Sequence, residues 1–192
     1  MVKLDKIYTR GGDQGSTSLG DGKRVRKDNL RVSCYGEIDE VNAIIGISMI
    51  YSSKKTIDRL KIIQNDLFDI GADLCVPENS EKIKLRVSET QISYLESEID
   101  EMNKELKSLN SFILPGGTKA SSYLHLARCV TRRAERSISK LLKDEVINEV
   151  IFKYVNRLSD FLFVASRYEN KENGDILWEP GKNQKRSKLW NL

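Results

Sequence analysis

Apolar residues recur at helical spacing through most of the chain. Ile38, Val41, Ile45 and Met49 share one face of a segment from about Val32 to Tyr51. Leu60, Ile63, Leu67, Ile70 and Leu74 do the same from about Thr56 to Leu74. A third amphipathic stretch begins near Ser88, with Gln91 three residues on in a capping-box pattern, and its periodicity predicts helix to about Leu109. A fourth is predicted from about Lys119 to Leu142. The fifth, from about Asn148 to Asn170, carries Val155, Leu158, Leu162 and Ala165. Pro77, Pro115 and Pro180 each fall at an expected boundary, and a polar loop runs from Glu78 to Leu85. Five long helices with short connections predict an all-α, five-helix bundle.

The first 30 residues follow a different pattern. Gly11, Gly12, Gly15, Gly20 and Gly22 alternate with Thr, Ser and Asp, which reads as an ordered glycine-rich loop or short hairpin. The tail from Lys171, with Gly174, Pro180 and Gly181, reads as irregular. One domain over 1–192 is expected, with an N-terminal segment (1–30), a helical bundle (32–170) and a tail (171–192).

Composition narrows the function classes. At 192 residues the chain can bury a sizeable core. Its 32 basic and 28 acidic side chains give a net charge of +4, too weak a bias to argue for nucleic acid. Cys34, Cys75 and Cys129 are odd in number and form no CxxC pair, so buried reduced thiols are expected rather than disulfides or zinc. The start, MVKLDKIYTR, has no apolar signal-peptide core, and no apolar run reaches membrane-spanning length. A cytoplasmic protein, without membrane or nucleic-acid partners, is expected.

Candidate chemistry clusters in three places. In the first, Tyr8 to Asp28, glycines let backbone N–H groups converge on phosphate oxygens. Thr9, Thr17 and Ser18 add hydroxyls there, while Arg10 and Lys27 add charge. Gly15 to Gly20 has P-loop spacing, but Asp21 and Gly22 follow where Lys and Ser/Thr are needed, so a Walker A motif is rejected. A flexible Gly/Ser segment is the bland alternative. In the second, Arg128, Arg132 and Glu135 share a face of the fourth helix, Arg136 lies close by, and Arg133 is turned about a quarter-turn away. Arginine's planar fork suits phosphate or carboxylate, and a solvated basic face with Glu135 as counter-charge is the alternative. In the third, Asn156, Ser159 and Asp160 interrupt the apolar run of the fifth helix. Asn156 suits a phosphate or metal-bound water, or equally an interhelical hydrogen bond. His125, the one histidine, reads as a packing residue. No nucleophile–base constellation and no metal ligand set can be nominated. The basic end Lys182–Lys188 reads as solvated.

Four blocks, in order, carry a family resemblance: YTRGGDQGST, RVSCYGEIDEVNAIIG, FILPGGTKASSYLHLARCVTRRAER and YVNRLSDFLFVASR. Together they resemble the PduO-type ATP:cob(I)alamin adenosyltransferases over nearly the full length. Gly11 and Val41 stand where that family often has threonine and leucine, and Glu37–Ile38 is a variable pair. The resemblance implies a homotrimer of five-helix bundles with intersubunit active sites. It implies transfer of the 5′-deoxyadenosyl group of ATP to cobalt, with Mg²⁺ and release of triphosphate. A reductase and an adenosylcobalamin-dependent acceptor enzyme would be partners. Carried over by motif, Thr9, Arg10, Gly11, Gly12, Thr17, Ser18 and Lys27 would wrap ATP. Arg132, Arg133, Glu135, Arg136 and Asn156 would contact it from the helices. Arg128 and Asp39 would form an intersubunit ion pair near the corrin. Phe112 would cover its lower face, keeping the base off cobalt, and Phe163 would be a corrin neighbour. A non-catalytic ATP-binding bundle and a helical RNA-binding protein are the rivals. An intact Phe112 block opposes the first, and the charge balance opposes the second.

Overall fold

In the computed structural model, residues 7–81 and 85–184 are described; the start MVKLDK and most of the basic end lie outside them. Every helix starts where a short polar side chain precedes the apolar periodicity. α1 (Leu30–Met49) follows Asn29, α2 (Lys54–Cys75) follows Ser53, and α3 (Glu89–Asn103) follows Ser88. α4 (Lys119–Asp144) follows Thr118, and α5 (Glu149–Tyr168) follows Asn148. These residues supply acceptors for the free N–H groups of a first turn. Thr118 Oγ1 accepts from Ser121 N–H at 3.1 Å, and Asn148 Oδ1 from Val150 N–H at 3.1 Å. The capping pair at α3 forms as expected, with Ser88 N–H donating to Gln91 Oε1 at 2.9 Å.

α3 stops at Asn103, short of the expected Leu109. Tight turns follow, with Glu105 N–H on the Met102 carbonyl and Leu106 N–H on the Asn103 carbonyl. Arg167 then takes the Lys107 carbonyl at 2.7 Å, which draws this segment onto α5. Periodicity continued past the point where a tertiary contact breaks the helix.

α1 packs on α2 and α4, α4 also on α5, and α5 on α3. Cross-helix contacts set the directions. Arg31 at the start of α1 meets Glu145 just after α4, and Ser137 meets Glu37, so these two helices are antiparallel. α4 and α5 are antiparallel through His125 and Ser166. α3 runs parallel to α5 through Glu89–Lys153 and Glu96–Arg157. The core between them is aliphatic, including Ile38, Val41, Ile45, Ile63, Leu67, Leu124, Ile138, Leu158 and Leu162. Arg31 is only 2% exposed, yet its guanidinium is fully engaged, with Glu145 at 2.7 and 2.9 Å and the Leu74 carbonyl at 2.7 Å. A buried charge is tolerated only when paired and hydrogen-bonded in this way.

The two ends of the bundle carry different attachments. At the Arg31 end, the glycine-rich segment forms an antiparallel hairpin of β1 (Ser16–Ser18) and β2 (Arg24–Arg26). Buried Leu19 and a 2.8 Å hydrogen bond from Gly20 N–H to the Cys75 carbonyl dock it. A Cβ on Gly20 would stand 2.6 Å from Val76, so only glycine permits this approach. At the opposite end, the segment before α4 pairs with the tail. Leu114 N–H donates to the Ile176 carbonyl at 2.8 Å and Trp178 N–H to the Phe112 carbonyl at 2.7 Å. The expected irregular tail thus contains an extended stretch held by Phe112–Leu114. Gly117, at φ +100°, lets the chain turn tightly beside Asn170 into α4.

The three cysteines are unpaired, but only Cys34 fits the expectation of burial. Cys75 is half-buried, and Cys129 is exposed because it sits on the outer face of α4 beside Arg128. Burial pushes the Cys34 thiol up to about 12. Among the described residues no helix is long and apolar enough to cross a membrane.

Candidate functional site

The hairpin splits its hydroxyls. Ser16 and Ser18 lie on one face, with Arg24 directly opposite Ser18, while Thr17 opposite Val25 points to the other face. Arg24 reaches across that first face. It donates to the Gly11 carbonyl at 2.6 Å, to Ser18 Oγ at 3.3 Å and to Ser16 Oγ. Thr9 Oγ1 accepts from Gly11 N–H at 3.5 Å. Arg10 sits in the left-handed region at φ 59°, its guanidinium 5.8 Å from the centre of the Tyr8 ring. A non-glycine residue is uncommon there, and it turns the chain sharply into Gly11–Gly12. The Lys27 ammonium lies 3.0 Å from where a Gly12 Cβ would stand, so the missing side chain leaves room for that charge. Gly11, Gly12, Ser18 and Lys27 are thus drawn together around the hairpin, while Thr17, half-buried, lies on its other face.

On α4 the arginines part company. Arg133 forms an ion pair with Glu40 of α1, which raises its pKa. Glu135 turns the other way and accepts 2.8 Å from the Asn156 amide of α5. The interhelical role weighed for Asn156 is thus present, and Glu135 neutralises no arginine among the described residues. Arg136 donates to the Arg132 carbonyl at 2.9 Å. The Arg132 guanidinium is exposed and has no partner among the described residues. The same holds for the exposed Asp39 carboxylate, so within one protomer Asp39 and Arg128 are not joined. Arg128 Nε is buried without an acceptor, and its Nη2 lies 3.7 Å from Cys129 Sγ.

Phe112 is 79% exposed, its ring touching Trp178 at 6.2 Å between centres. Phe163 is half-buried on α5 and meets the edge of His125 at 6.3 Å. His125 Nε2 lies 3.2 Å from Ser166 Oγ, which itself donates to the Phe163 carbonyl at 2.7 Å. Burial first, then Arg128, lowers the His125 pKa. His125 therefore packs, as read from sequence, but beside Phe163.

Two groups of candidates stay apart. None of Thr9, Arg10, Gly11, Gly12, Thr17, Ser18 or Lys27 hydrogen-bonds to α4 or α5 among the described residues. The glycine hairpin and Phe112 sit at opposite ends of the bundle. Sequence reasoning missed Arg24, Ser16 and Trp178. The first two had a signal in retrospect, since a hairpin over 16–26 places Arg24 across from Ser18. Trp178 had none, because its partner is remote in sequence.

The family model for cobalamin adenosyltransferase matches residues 7–169. The chain belongs to the cobalamin adenosyltransferase family. The matched span includes the glycine hairpin and every helix and stops short of the Ile176–Trp178 stretch beside Phe112. The corrinoid adenosyltransferase of Mycobacterium leprae is 46% identical, with 94% of this chain and 98% of that protein covered. That of Bacillus subtilis is 44% identical, with 91% and 92% covered. A variant of the PduO-type ATP:corrinoid adenosyltransferase from Lactobacillus reuteri, complexed with cobalamin and ATP, superposes with a TM-score of 0.88. It is 37% identical, with 91% of this chain and 99% of that chain covered.

Proposed function

We propose that this protein transfers the 5′-deoxyadenosyl group of ATP to the cobalt of cob(I)alamin, giving adenosylcobalamin and triphosphate. The observation that carries the reading is the pairing of a cation-rich glycine hairpin with an exposed Phe112 in a member of this family. A bundle that only binds ATP has no use for the latter.

The chemistry asks little of protein acids and bases. Cob(I)alamin is itself the nucleophile. Its cobalt attacks C5′, the C5′–O bond breaks, and the electron pair leaves with the triphosphate. What the protein must supply is orientation and countercharge for that leaving group. Arg132, whose guanidinium has no partner among the described residues, is the first candidate, with Arg133, Arg136, Lys27 and the loop amides as further donors. Among the described residues no cluster of three or more His, Cys, Asp or Glu is placed to hold a metal ion. Mg²⁺ bound mostly through phosphate oxygens and water needs no such cluster.

The working unit is a homotrimer with sites between subunits, in the cytoplasm. Support comes from the separation of the hairpin and Phe112 along helices of 20 to 26 residues, some 30–40 Å long. A site using both takes them from two chains, and Asp39 and Arg128, with no carboxylate–guanidinium partner among the described residues, suit a pair across that junction. Residues 1–30 serve as the nucleotide segment, 32–170 as the bundle, and 171–192 as the tail, whose Ile176–Trp178 stretch lies beside Phe112. A reductase supplies Co(I), and an adenosylcobalamin-dependent enzyme receives the product.

Mixing the protein with ATP, Mg²⁺ and reduced cobalamin tests the reading by absorption spectroscopy. A light-sensitive adenosylcobalamin spectrum is the expected result, and an unchanged cob(I)alamin spectrum overturns it.

A further inference from the structure

We propose that Arg24 is a positioning residue for the nucleotide loop, setting which loop groups face the triphosphate. The inference rests on the ATP reading above and names a residue outside the candidates taken from the family pattern.

Arg24 is exposed, and no carboxylate among the described residues pairs with it. Its guanidinium is spent instead on one carbonyl and two hydroxyl oxygens, those of Gly11, Ser18 and Ser16. Each of these contacts has a directional consequence. A trans peptide holds its C=O and N–H antiparallel. Drawing the Gly11 carbonyl onto Arg24 therefore turns the Gly12 N–H the opposite way. That N–H has no acceptor among the described residues, and the Lys27 ammonium abuts the same glycine. A guanidinium only donates, so Ser16 and Ser18 receive at oxygen and keep their hydroxyl hydrogens to donate elsewhere. One side chain thus converts a glycine turn and two serines into a set of donors beside the Lys27 ammonium, which is what a polyanion requires.

The test is steady-state kinetics of Arg24→Ala and Arg24→Lys. Losing the fork should raise the KM for ATP about tenfold, with kcat and the KM for cobalamin changed less than about twofold. Arg24→Lys should resemble Arg24→Ala, because an ammonium cannot span three acceptors in this geometry. An unchanged KM for ATP in Arg24→Ala overturns the inference. So does an equal rise in both KM values, which marks general loss of structure, or full rescue by lysine, which marks charge alone. If the wild-type protein forms no adenosylcobalamin, the enzymatic reading fails. Calorimetric ATP binding then decides Arg24 separately, with a weakened Kd in Arg24→Ala expected and an equal Kd overturning it.

Discussion

Asn156 on α5 donates a 2.8 Å hydrogen bond to Glu135 on α4, so two candidate nucleotide residues from different helices form one unit. Both lie at the surface, where neither is needed to fill the core. Their effects on ATP should therefore not add. Glu135→Ala and Asn156→Ala are each expected to raise the KM for ATP, and the double variant to fall short of the product of the two. A coupling of about 1 kcal/mol is expected in the double-mutant cycle. Strict additivity would show that the two side chains act independently.

Arg132 is the α4 arginine whose guanidinium has no protein partner among the described residues. Arg132→Ala should lower kcat/KM by about 10²–10³, the scale of losing one donor to a developing negative charge. Its unfolding midpoint should stay near that of the wild type, because no core or ion-pair contact is removed. Wild-type kinetics in this variant would remove Arg132 from the site.

Phe112 presents most of its ring to solvent and, among the described residues, rests its ring on Trp178. If it covers the lower corrin face, Phe112→Ala should slow the reaction from cob(II)alamin at least about tenfold more than from pre-reduced cob(I)alamin. The reason is that reduction is easier without an axial base, whereas the adenosyl transfer itself needs only a bound cob(I)alamin. Equal losses in the two assays would assign Phe112 to corrin binding in general.

His125 supplies a pH test. Burial and Arg128 lower its pKa from 6.5, with Asp175 opposing. Below 6.5 the unfolded chain takes up a proton that the folded protein resists, so stability is lost as pH falls from 6.5 through the depressed native value. Urea unfolding between pH 7 and 5 should show this decline, and His125→Gln should flatten it. An identical slope in the variant would place the titration elsewhere.

Much of the fold was legible in sequence because its signals are local. The 3.6-residue periodicity, the polar residues at helix starts and the prolines at boundaries located all five helices. The one clear overrun, at the end of α3, came where Arg167 takes the Lys107 carbonyl, a contact 60 residues away along the chain. The site was legible in part. Motif blocks picked out Arg132 and Phe112 as candidates and the charge of the glycine segment picked out Lys27, whereas the contacts of Arg24 were hidden because they depend on hairpin register.

By itself the sequence determined an all-α bundle, a glycine segment rich in donors, an arginine-bearing fourth helix and the family to which these belong. Each of these follows from spacing or residue order along a single stretch. Only the tertiary structure decided how they are shared out. It sent Arg133 to Glu40 and Glu135 to Asn156, put Ser16, Ser18 and Arg24 on one face of the hairpin, and set Phe112 at the far end against Trp178. Those outcomes depend on helix direction, strand register and pairing between remote residues, which local periodicity does not encode.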